Sequence, residues 1–260
     1  MNYWTQLSIE YANQRNYLDD LFSVYPTIPE GIREIDERKW QDVERYFNTH
    51  DNEKLVRAML NFDLFPIKDS YVAYLKRDKG AILRNPMTIS RLAGRMYELG
   101  LNKLYEKCSE PKETNRQIGP LFKRWISKGS LGIPVLKLKD FENVQRDAIL
   151  DASDAEMMDW AKRNIGYERS KGLDFVARIK GRYVIGEAKF LTDFGGHQNA
   201  QFNDAMDTIT QTNVKATTVA ILDGVLYIPT KNKLYKEITQ TYSEYNILSA
   251  LVLREFLYSL

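Results

Sequence analysis

The sequence contains few of the side chains that bind soft metals or form disulfides. It has one cysteine, Cys108, and two widely separated histidines, His50 and His197. A single cysteine excludes an internal disulfide and fits a reducing cytoplasm. The same scarcity argues against a zinc site built from cysteine or histidine. Any bound metal should therefore be a hard cation with oxygen ligands, such as magnesium.

Long apolar runs and a large net charge are also absent. No run approaches the roughly 18 apolar residues of a membrane-spanning helix, so we expect no contact with a membrane. The N-terminal residues lack the basic and apolar regions of a secretory signal, so we expect a cytoplasmic protein. The net charge is only +2, and a nucleic-acid-binding surface would have to arise from local clustering of charge.

What is present is a helical first half followed by a mixed second half. Helical spacing of apolar residues predominates up to about residue 128, and 129–134 predicts a flexible junction. Beyond it we expect a strand at 135–138, a helix beginning at the capping box Ser153-x-x-Glu156, two strands, a helix at 197–209 and a strand at 217–222. The fold class is therefore α/β, with a mixed β-sheet flanked by helices in residues 131–260 and a mainly helical N-terminal region in residues 1–130.

The C-terminal part of the sequence predicts a hairpin and a long helix. Asp223-Gly224 is typical of a two-residue hairpin turn, so we expect 225–228 to form the second strand of a hairpin. The apolar spacing from Lys236 to Leu260 predicts one amphipathic helix.

Two short helices are predicted on either side of Gly100. They could form a helix-turn-helix in which Arg91, Arg95 and Lys103 face DNA. A helical hairpin that packs on a core is the preferred interpretation, because the turn glycine is the only specific cue.

The segment with the strongest chemical signal is Gly172–Leu191. It predicts two strands joined by a tight turn at Lys180-Gly181, and this turn places Asp174 directly opposite Glu187. Lys189 lies on the same face as Glu187, because side chains alternate along a strand. Two carboxylates and an ammonium would then meet among apolar residues, and a divalent cation is the usual means of neutralising such crowded carboxylates.

A buried ion network at a sheet edge is the alternative interpretation of these three charges. Three charges on adjacent apolar strands, followed by a polar, glycine-bearing loop at 192–196, are hard to explain in that way. The chain's other Glu-x-Lys triplet, Glu110-Pro111-Lys112, has a central proline and lies in a polar break, so it cannot be part of a central strand. The catalytic interpretation is therefore preferred.

The pattern GLD…GEAK, with thirteen residues from Asp174 to Glu187, resembles the PD-(D/E)XK nuclease superfamily, and most of all its type II restriction endonucleases. Leu173 occupies the position of the family's proline. The resemblance implies that Asp174, Glu187 and the main-chain carbonyl of Ala188 bind Mg²⁺. It implies that Lys189 orients the attacking water and stabilises charge on the phosphate.

The activity implied by this resemblance is Mg²⁺-dependent, sequence-specific hydrolysis of double-stranded DNA that leaves 5′-phosphate and 3′-hydroxyl ends. A homodimer is expected, because a palindromic site calls for two-fold symmetry. Region 1–130 would then serve DNA binding, dimerisation or both. The rival functions are a repair or recombination nuclease of the same fold and a non-catalytic DNA-binding protein.

Candidate DNA contacts are the basic residues near this segment and the amides that follow it. Basic side chains suit phosphates, Asn and Gln can bind adenine edges, and a helix N-terminus favours phosphate. A solvated positive face and a polar helix surface are the alternatives. The candidates are Lys123, Arg124, Arg169, Lys171, His197, Gln198, Asn199, Gln201 and Asn203.

Overall fold

The computed structural model describes residues 1–14, 16–26, 34–111 and 118–260, apart from the side chain of His197. The chain divides into two compact units. Met1–Thr27 and Thr114–Leu260 together form the sheet unit, and Ile28–Glu113 forms the helical unit. In the described ranges, no helix is long and apolar enough to cross a membrane.

The helical unit is built from short amphipathic helices around its own core. Asp36 and Asp51 begin two of them, since each carboxylate accepts hydrogen bonds from main-chain N–H groups of the first turn. Gly100, at φ 77°, separates the last two. Trp40, Leu55 and Leu92 are among the buried residues of the core. The helices are α3 Glu37–Asn48, α4 Asn52–Met59, α5 Val72–Arg77, α6 Ala81–Arg84, α7 Pro86–Leu99 and α8 Leu101–Ser109.

The sheet unit alternates strands with helices. Short 3₁₀ segments at Val225–Tyr227 and Ala250–Val252, and a π-helical segment at Glu237–Thr241, lie between its last strands and helices. Its helices are α1 Tyr3–Ala12, α2 Tyr17–Val24, α9 Ile118–Ser127, α10 Leu138–Asn143, α11 Asp154–Ile165, α12 His197–Ile209, α13 Lys233–Lys236 and α14 Leu253–Ser259. Its strands are β1 Val135–Lys137, β2 Ala148–Asp151, β3 Phe175–Ile179, β4 Arg182–Leu191, β5 Thr217–Gly224 and β6 Ile247–Leu248.

The six strands form one mixed sheet in sequential order, β1 to β6. The β2–β3 and β3–β4 pairs are antiparallel, and the other pairs are parallel. Apolar side chains of α11 and of one sheet face form one core, and those of α9, α12 and α14 belong to a second core with the other face. The predicted α/β class with a mixed sheet flanked by helices is confirmed.

The boundaries of the two units along the chain differ from the expected single boundary at residue 130. Helices α1, α2 and α9 belong to the sheet unit, because their buried side chains join the core of the sheet. Tyr17, Leu21 and Phe122 are examples. Only the segment between α2 and α9 forms the separate helical unit.

The β3–β4 hairpin has the predicted register. Lys180 and Gly181 both have positive φ, 47° and 77°, as a tight hairpin turn requires. The paired residues run from Ile179 opposite Arg182 to Phe175 opposite Gly186. Gly186 also lets β5 approach, since a Cβ there would lie 2.5 Å from the carbonyl oxygen of Val219.

The predicted hairpin at Asp223-Gly224 is wrong. Strand β5 continues through Gly224, which pairs with Leu191 of β4, and the chain then enters a 3₁₀ turn at Val225–Tyr227. Gly224 has φ 102°, and a Cβ at this position would lie 2.1 Å from the carbonyl oxygen of Leu191. The glycine is therefore required by a close approach of two main chains.

The prediction of a single helix from Lys236 to Leu260 is also wrong. Ile247 and Leu248 form strand β6 and pair with Ala220 and Ile221 of β5. The main-chain groups of these two residues bond to the buried strand β5, whereas in a continuous helix they would have bonded to other residues of the same helix. Strand β2, which was not predicted, lies between β1 and β3.

Candidate active site

Asp174 lies at the N-terminal end of β3 and is tied to β4 through main-chain contacts. Its N–H donates to the carbonyl of Gly186 at 3.2 Å, and its Oδ2 accepts a hydrogen bond from the N–H of Ala188 at 3.0 Å. The N–H and carbonyl of a strand residue point toward the same neighbour. The carbonyl of Ala188 therefore points toward the side of β4 on which Asp174 lies.

Lys189 brings the two carboxylates together. Its Nζ lies 2.5 Å from Oδ2 of Asp174 and 2.7 Å from Oε2 of Glu187. Glu187 follows the buried Ile185 by two positions, so the cluster continues the sheet face that carries α11. The three charged side chains therefore meet as the sequence predicts.

The cluster is buried on one side and accessible on the other. The side chain of Glu187 is 1% exposed, whereas those of Asp174 and Lys189 are 13% and 19% exposed. Oε1 of Glu187 is buried and has no hydrogen-bond partner within the described part of the chain. An unsatisfied carboxylate oxygen is costly, and a bound cation would satisfy it.

The electrostatics of the cluster follow from this burial. Desolvation, and then the neighbouring charge of Asp174, raise the pKa of Glu187 from 4.5 to about 7. Desolvation alone would lower the pKa of Lys189, but the Asp174 and Glu187 carboxylates raise it above its ordinary value. Lys189 therefore stays protonated and can act as a hydrogen-bond donor or a positive charge, rather than as a proton acceptor.

The donor set fits a hard divalent cation. Two carboxylates and the carbonyl of Ala188 supply oxygen atoms, and Oε1 of Glu187 lacks a partner. No group of three or more His, Cys, Asp or Glu side chains that could hold a metal occurs in the described ranges. Mg²⁺ commonly binds through one or two carboxylates and takes its remaining ligands from water and substrate phosphate, so a two-carboxylate site suits it.

Lys123 lies beside the cluster. With Asp174, Asp151 and Met157, it lines a small cavity. Its Nζ donates to the carbonyl of Ala152 at 3.1 Å and pairs with Asp154 at the start of α11. Arg124 is exposed.

Arg169 and Lys171 are neutralised by acidic residues of α12. Arg169 donates to the carbonyl of Asp204 at 2.8 Å, to Oγ1 of Thr208 at 2.7 Å and to Oδ2 of Asp207 at 3.2 Å. Lys171 pairs with Asp204. These contacts tie the segment before Asp174 to α12, so both basic groups have structural partners in addition to any contact with phosphate.

The amides at the start of α12 differ in their environments. Gln198 is buried, and its Oε1 accepts the N–H of Thr192 at 3.2 Å. Oδ1 of Asn199 is buried without a partner inside the described ranges, Gln201 is half-buried and Asn203 is exposed. The side chain of His197 lies outside the described part of the structure. Gln198 therefore holds the loop that follows β4, which leaves Gln201 and Asn203 as the more accessible amides.

Asp204 and Asp154 are the site-proximal residues that the sequence did not reveal. Asp204 and Asp207 are three positions apart on α12, so they share one helix face and could have been expected to pair with basic side chains. No sequence pattern indicated that these side chains would be Arg169 and Lys171. Asp154 was recognisable only as a first-turn acid that suits the start of α11.

Comparison with known proteins supplies a match over nearly the whole chain. A family profile described as Tsp45I type II restriction enzyme matches residues 2–260. No curated protein and no solved structure matches the chain significantly.

Proposed function

Since this chain belongs to the Tsp45I type II restriction enzyme family and is thereby a site-specific deoxyribonuclease, we propose that Asp174, Glu187 and Lys189 are its catalytic residues. The observation that carries this proposal is the convergence of both carboxylates on one ammonium, next to a buried oxygen without a partner.

The proposed cofactor is Mg²⁺, held by Asp174, Glu187 and the carbonyl of Ala188. When bound, it would supply a Lewis acid for the scissile phosphate and lower the pKa of an attacking water. Asp174 is fixed for this role because its carboxylate is hydrogen-bonded to the main chain of β4. Glu187 is fixed because it lies in the buried middle of the same strand.

Lys189 is proposed to act as a fixed positive charge. Its ammonium can donate to the attacking water and to a non-bridging phosphate oxygen, and so stabilise the charge that develops there. Attack of water on phosphorus, with departure of the 3′-oxygen, would leave 5′-phosphate and 3′-hydroxyl ends.

A homodimer is the proposed form. Symmetric cleavage of both strands at a palindromic site requires one cluster of Asp174, Glu187 and Lys189 at each strand, and two subunits related by two-fold symmetry supply them. The proposed location is the cytoplasm, where the DNA to be cut would be encountered.

Cleavage of unmethylated plasmid or phage DNA tests the function. With Mg²⁺ we expect discrete fragments, and we expect Glu187→Ala to abolish them while Glu244→Ala, a change at a highly exposed carboxylate, leaves them intact. Fragments from wild type and Glu187→Ala alike would refute the site. Junction-specific cleavage or single nicks would indicate a repair or recombination nuclease, and no metal-dependent cleavage of any DNA would refute nuclease function.

The role of Lys189 is tested by separating binding from chemistry. Lys189→Ala should lose at least about 100-fold in cleavage rate, as expected when a positioned charge is removed from a phosphoryl-transfer site, and should still bind cognate DNA in Ca²⁺. Lys162→Ala, at an exposed position of α11, is the matched control. Loss of folding in Lys189→Ala, seen by circular dichroism, would instead support a structural ion network.

A further inference from the structure

The helical unit has an uneven distribution of charge. Residues 34–59, which contain α3 and α4, carry seven Asp or Glu and five Lys or Arg. Residues 68–95, which contain α5, α6 and most of α7, carry seven Lys or Arg and only two Asp. A chain with a net charge of +2 thus concentrates basic residues in one stretch of one unit, where a local positive potential results.

Four of these basic residues have no carboxylate partner in the described ranges, because the ion pairs there involve Arg84, Arg91 and Arg95. Lys76 donates to the main-chain carbonyls of Phe62 and Asp63, whereas Lys68, Arg77 and Lys79 are exposed and form no ion pair with a residue that the structure describes. The only two acids of the stretch are already used, because Asp78 pairs with Arg84 and Asp69 pairs with Arg91, each at 2.5 Å. The positive charge of this stretch is therefore not neutralised within it.

Large side chains on the same stretch are unusually exposed. Tyr71, Tyr74, Leu83 and Met87 are between 61% and 83% exposed. The two tyrosines, three positions apart at the start of α5, line an open depression with Arg84, Asn85 and Thr88. The guanidinium of Arg91 lies 5.6 Å from the ring centroid of Tyr71. Hydroxyl, guanidinium and amide groups around exposed rings are the groups that bind phosphate, sugar and base edges.

We infer that this surface, formed by residues 68–91 of α5, α6 and α7 and called here the α5–α7 surface, binds the sugar-phosphate backbone of the DNA substrate. The inference rests on the proposed function and extends it, since it assigns a DNA-binding surface remote in sequence from Asp174, Glu187 and Lys189. Arg77 and Lys79 contact phosphates, and the tyrosines and Arg84 contact the backbone beside them.

A second copy of the chain is the other partner that exposed tyrosines and methionine could suit. A symmetric dimer contact places the same patch on both subunits. On the α5–α7 surface, that arrangement would bring unneutralised basic residues against each other, and like charges across an interface are costly. DNA supplies the opposite charge, so the charge distribution favours it.

The experiment compares two matched double variants on a labelled duplex that contains the site mapped from the cleavage fragments. The test variant is Arg77→Ala with Lys79→Ala, and the control is Arg38→Ala with Lys39→Ala on α3, which removes the same charge from exposed positions of the same unit. Binding is measured in Ca²⁺ over a range of salt concentrations. Sedimentation of the free proteins and thermal melting report self-association and folding.

We expect the test variant to bind DNA at least roughly tenfold more weakly than wild type near 0.15 M salt. The slope of log affinity against log salt concentration should be smaller by about two, because each lost phosphate contact removes about 0.9 from it. The control should change neither quantity by as much. Equal affinity and slope in both variants would overturn the inference, as would an altered sedimentation coefficient with unchanged DNA binding. Failure of the wild type to cleave or bind any DNA would overturn the proposed function itself.

Discussion

Replacing Glu187 with glutamine should stabilise the metal-free protein while abolishing cleavage. Glu187 is buried beside Asp174, and one of its oxygens has no partner in the described structure. Burial, and then the Asp174 charge, raise its pKa from 4.5 to about 7. A carboxyl whose pKa is raised by folding contributes stability that is complete below the unfolded pKa and is lost as the pH rises through the folded pKa.

The size of the effect follows from that rise. An increase from 4.5 to about 7 corresponds to about 3 kcal/mol, at about 1.4 kcal/mol per pKa unit. Glutamine has the same shape and stays neutral, so it avoids this cost, although its NH₂ group enters a buried position and gives back part of the gain. We expect Glu187→Gln to raise the free energy of unfolding by about 1–3 kcal/mol at pH 8 and by less than about 1 kcal/mol at pH 5.

Urea denaturation in EDTA at both pH values, followed by circular dichroism, measures this difference, with Glu244→Gln as the control. Adding Ca²⁺ should then stabilise the wild type, by about 2.7 kcal/mol at one hundred times its dissociation constant. The variant should gain less, because it has lost a ligand. A loss of about 3–5 kcal/mol at both pH values, as expected when a structural buried ion pair is broken, would refute the reasoning and identify the cluster as a stabilising network.

Two further predictions concern the sheet. Gly224→Ala should lower the free energy of unfolding by about 2–4 kcal/mol, because its Cβ would collide with the carbonyl of Leu191 and the residue has a positive φ. Urea denaturation should show this loss. The control Gly94→Ala, in open space on α7, should leave the free energy of unfolding unchanged or raise it by up to about 1 kcal/mol. Equal effects of the two changes would contradict the close approach. Burial raises the pKa of Asp223 from 3.8 to about 6, in spite of the hydroxyl and main-chain N–H groups that donate to it. Its contribution is therefore complete below about pH 4 and lost as the pH rises through about 6. The stability of wild type relative to Asp223→Asn should then fall by roughly 2 kcal/mol from pH 4 to pH 7, and a flat difference would show that Asp223 is ionised throughout.

The sequence was sufficient for the β3–β4 hairpin and its charged cluster. The hairpin is a local structure, because the turn at Lys180-Gly181 and the alternation of side chains fix which residues face each other. Convergence of Asp174, Glu187 and Lys189 follows from those two facts alone. Helices α11 and α12 were likewise predictable from local sequence, since α11 begins at a capping box and α12 begins with a polar first turn after two glycines.

The errors lie where distant segments decide the structure. Asp223-Gly224 has the composition of a turn, yet the strand continues, because β4 and α12 set β5 alongside Leu191. Ile247 and Leu248 fit a helical stripe but pair with β5 instead. These pairings join residues far apart in the chain, and no local pattern encodes them.

The partners of Arg169 and Lys171 illustrate the same limit for the candidate site. Both basic residues precede Asp174 in the chain and were candidates for contact with phosphate, but their pairing with Asp204 depends on the packing of α12. Charge complementarity between segments more than thirty residues apart becomes visible only when the fold is known.

The arrangement of α1 in the sheet unit has a consequence for the order in which the protein folds. Thr5 of α1 donates its hydroxyl to the carbonyl of Ile247 at 2.9 Å, and the N–H of Asn2 donates to the carbonyl of Ser243 at 2.5 Å. Helix α1 can therefore complete these contacts only after strand β6 has formed, whereas residues 34–111 can collapse around their own core without it. A chain that ended before residue 243 would leave these two contacts of the α1 segment unmade. Completion of the sheet unit thus depends on contacts between residues 242 positions apart in the chain, such as Thr5 and Ile247.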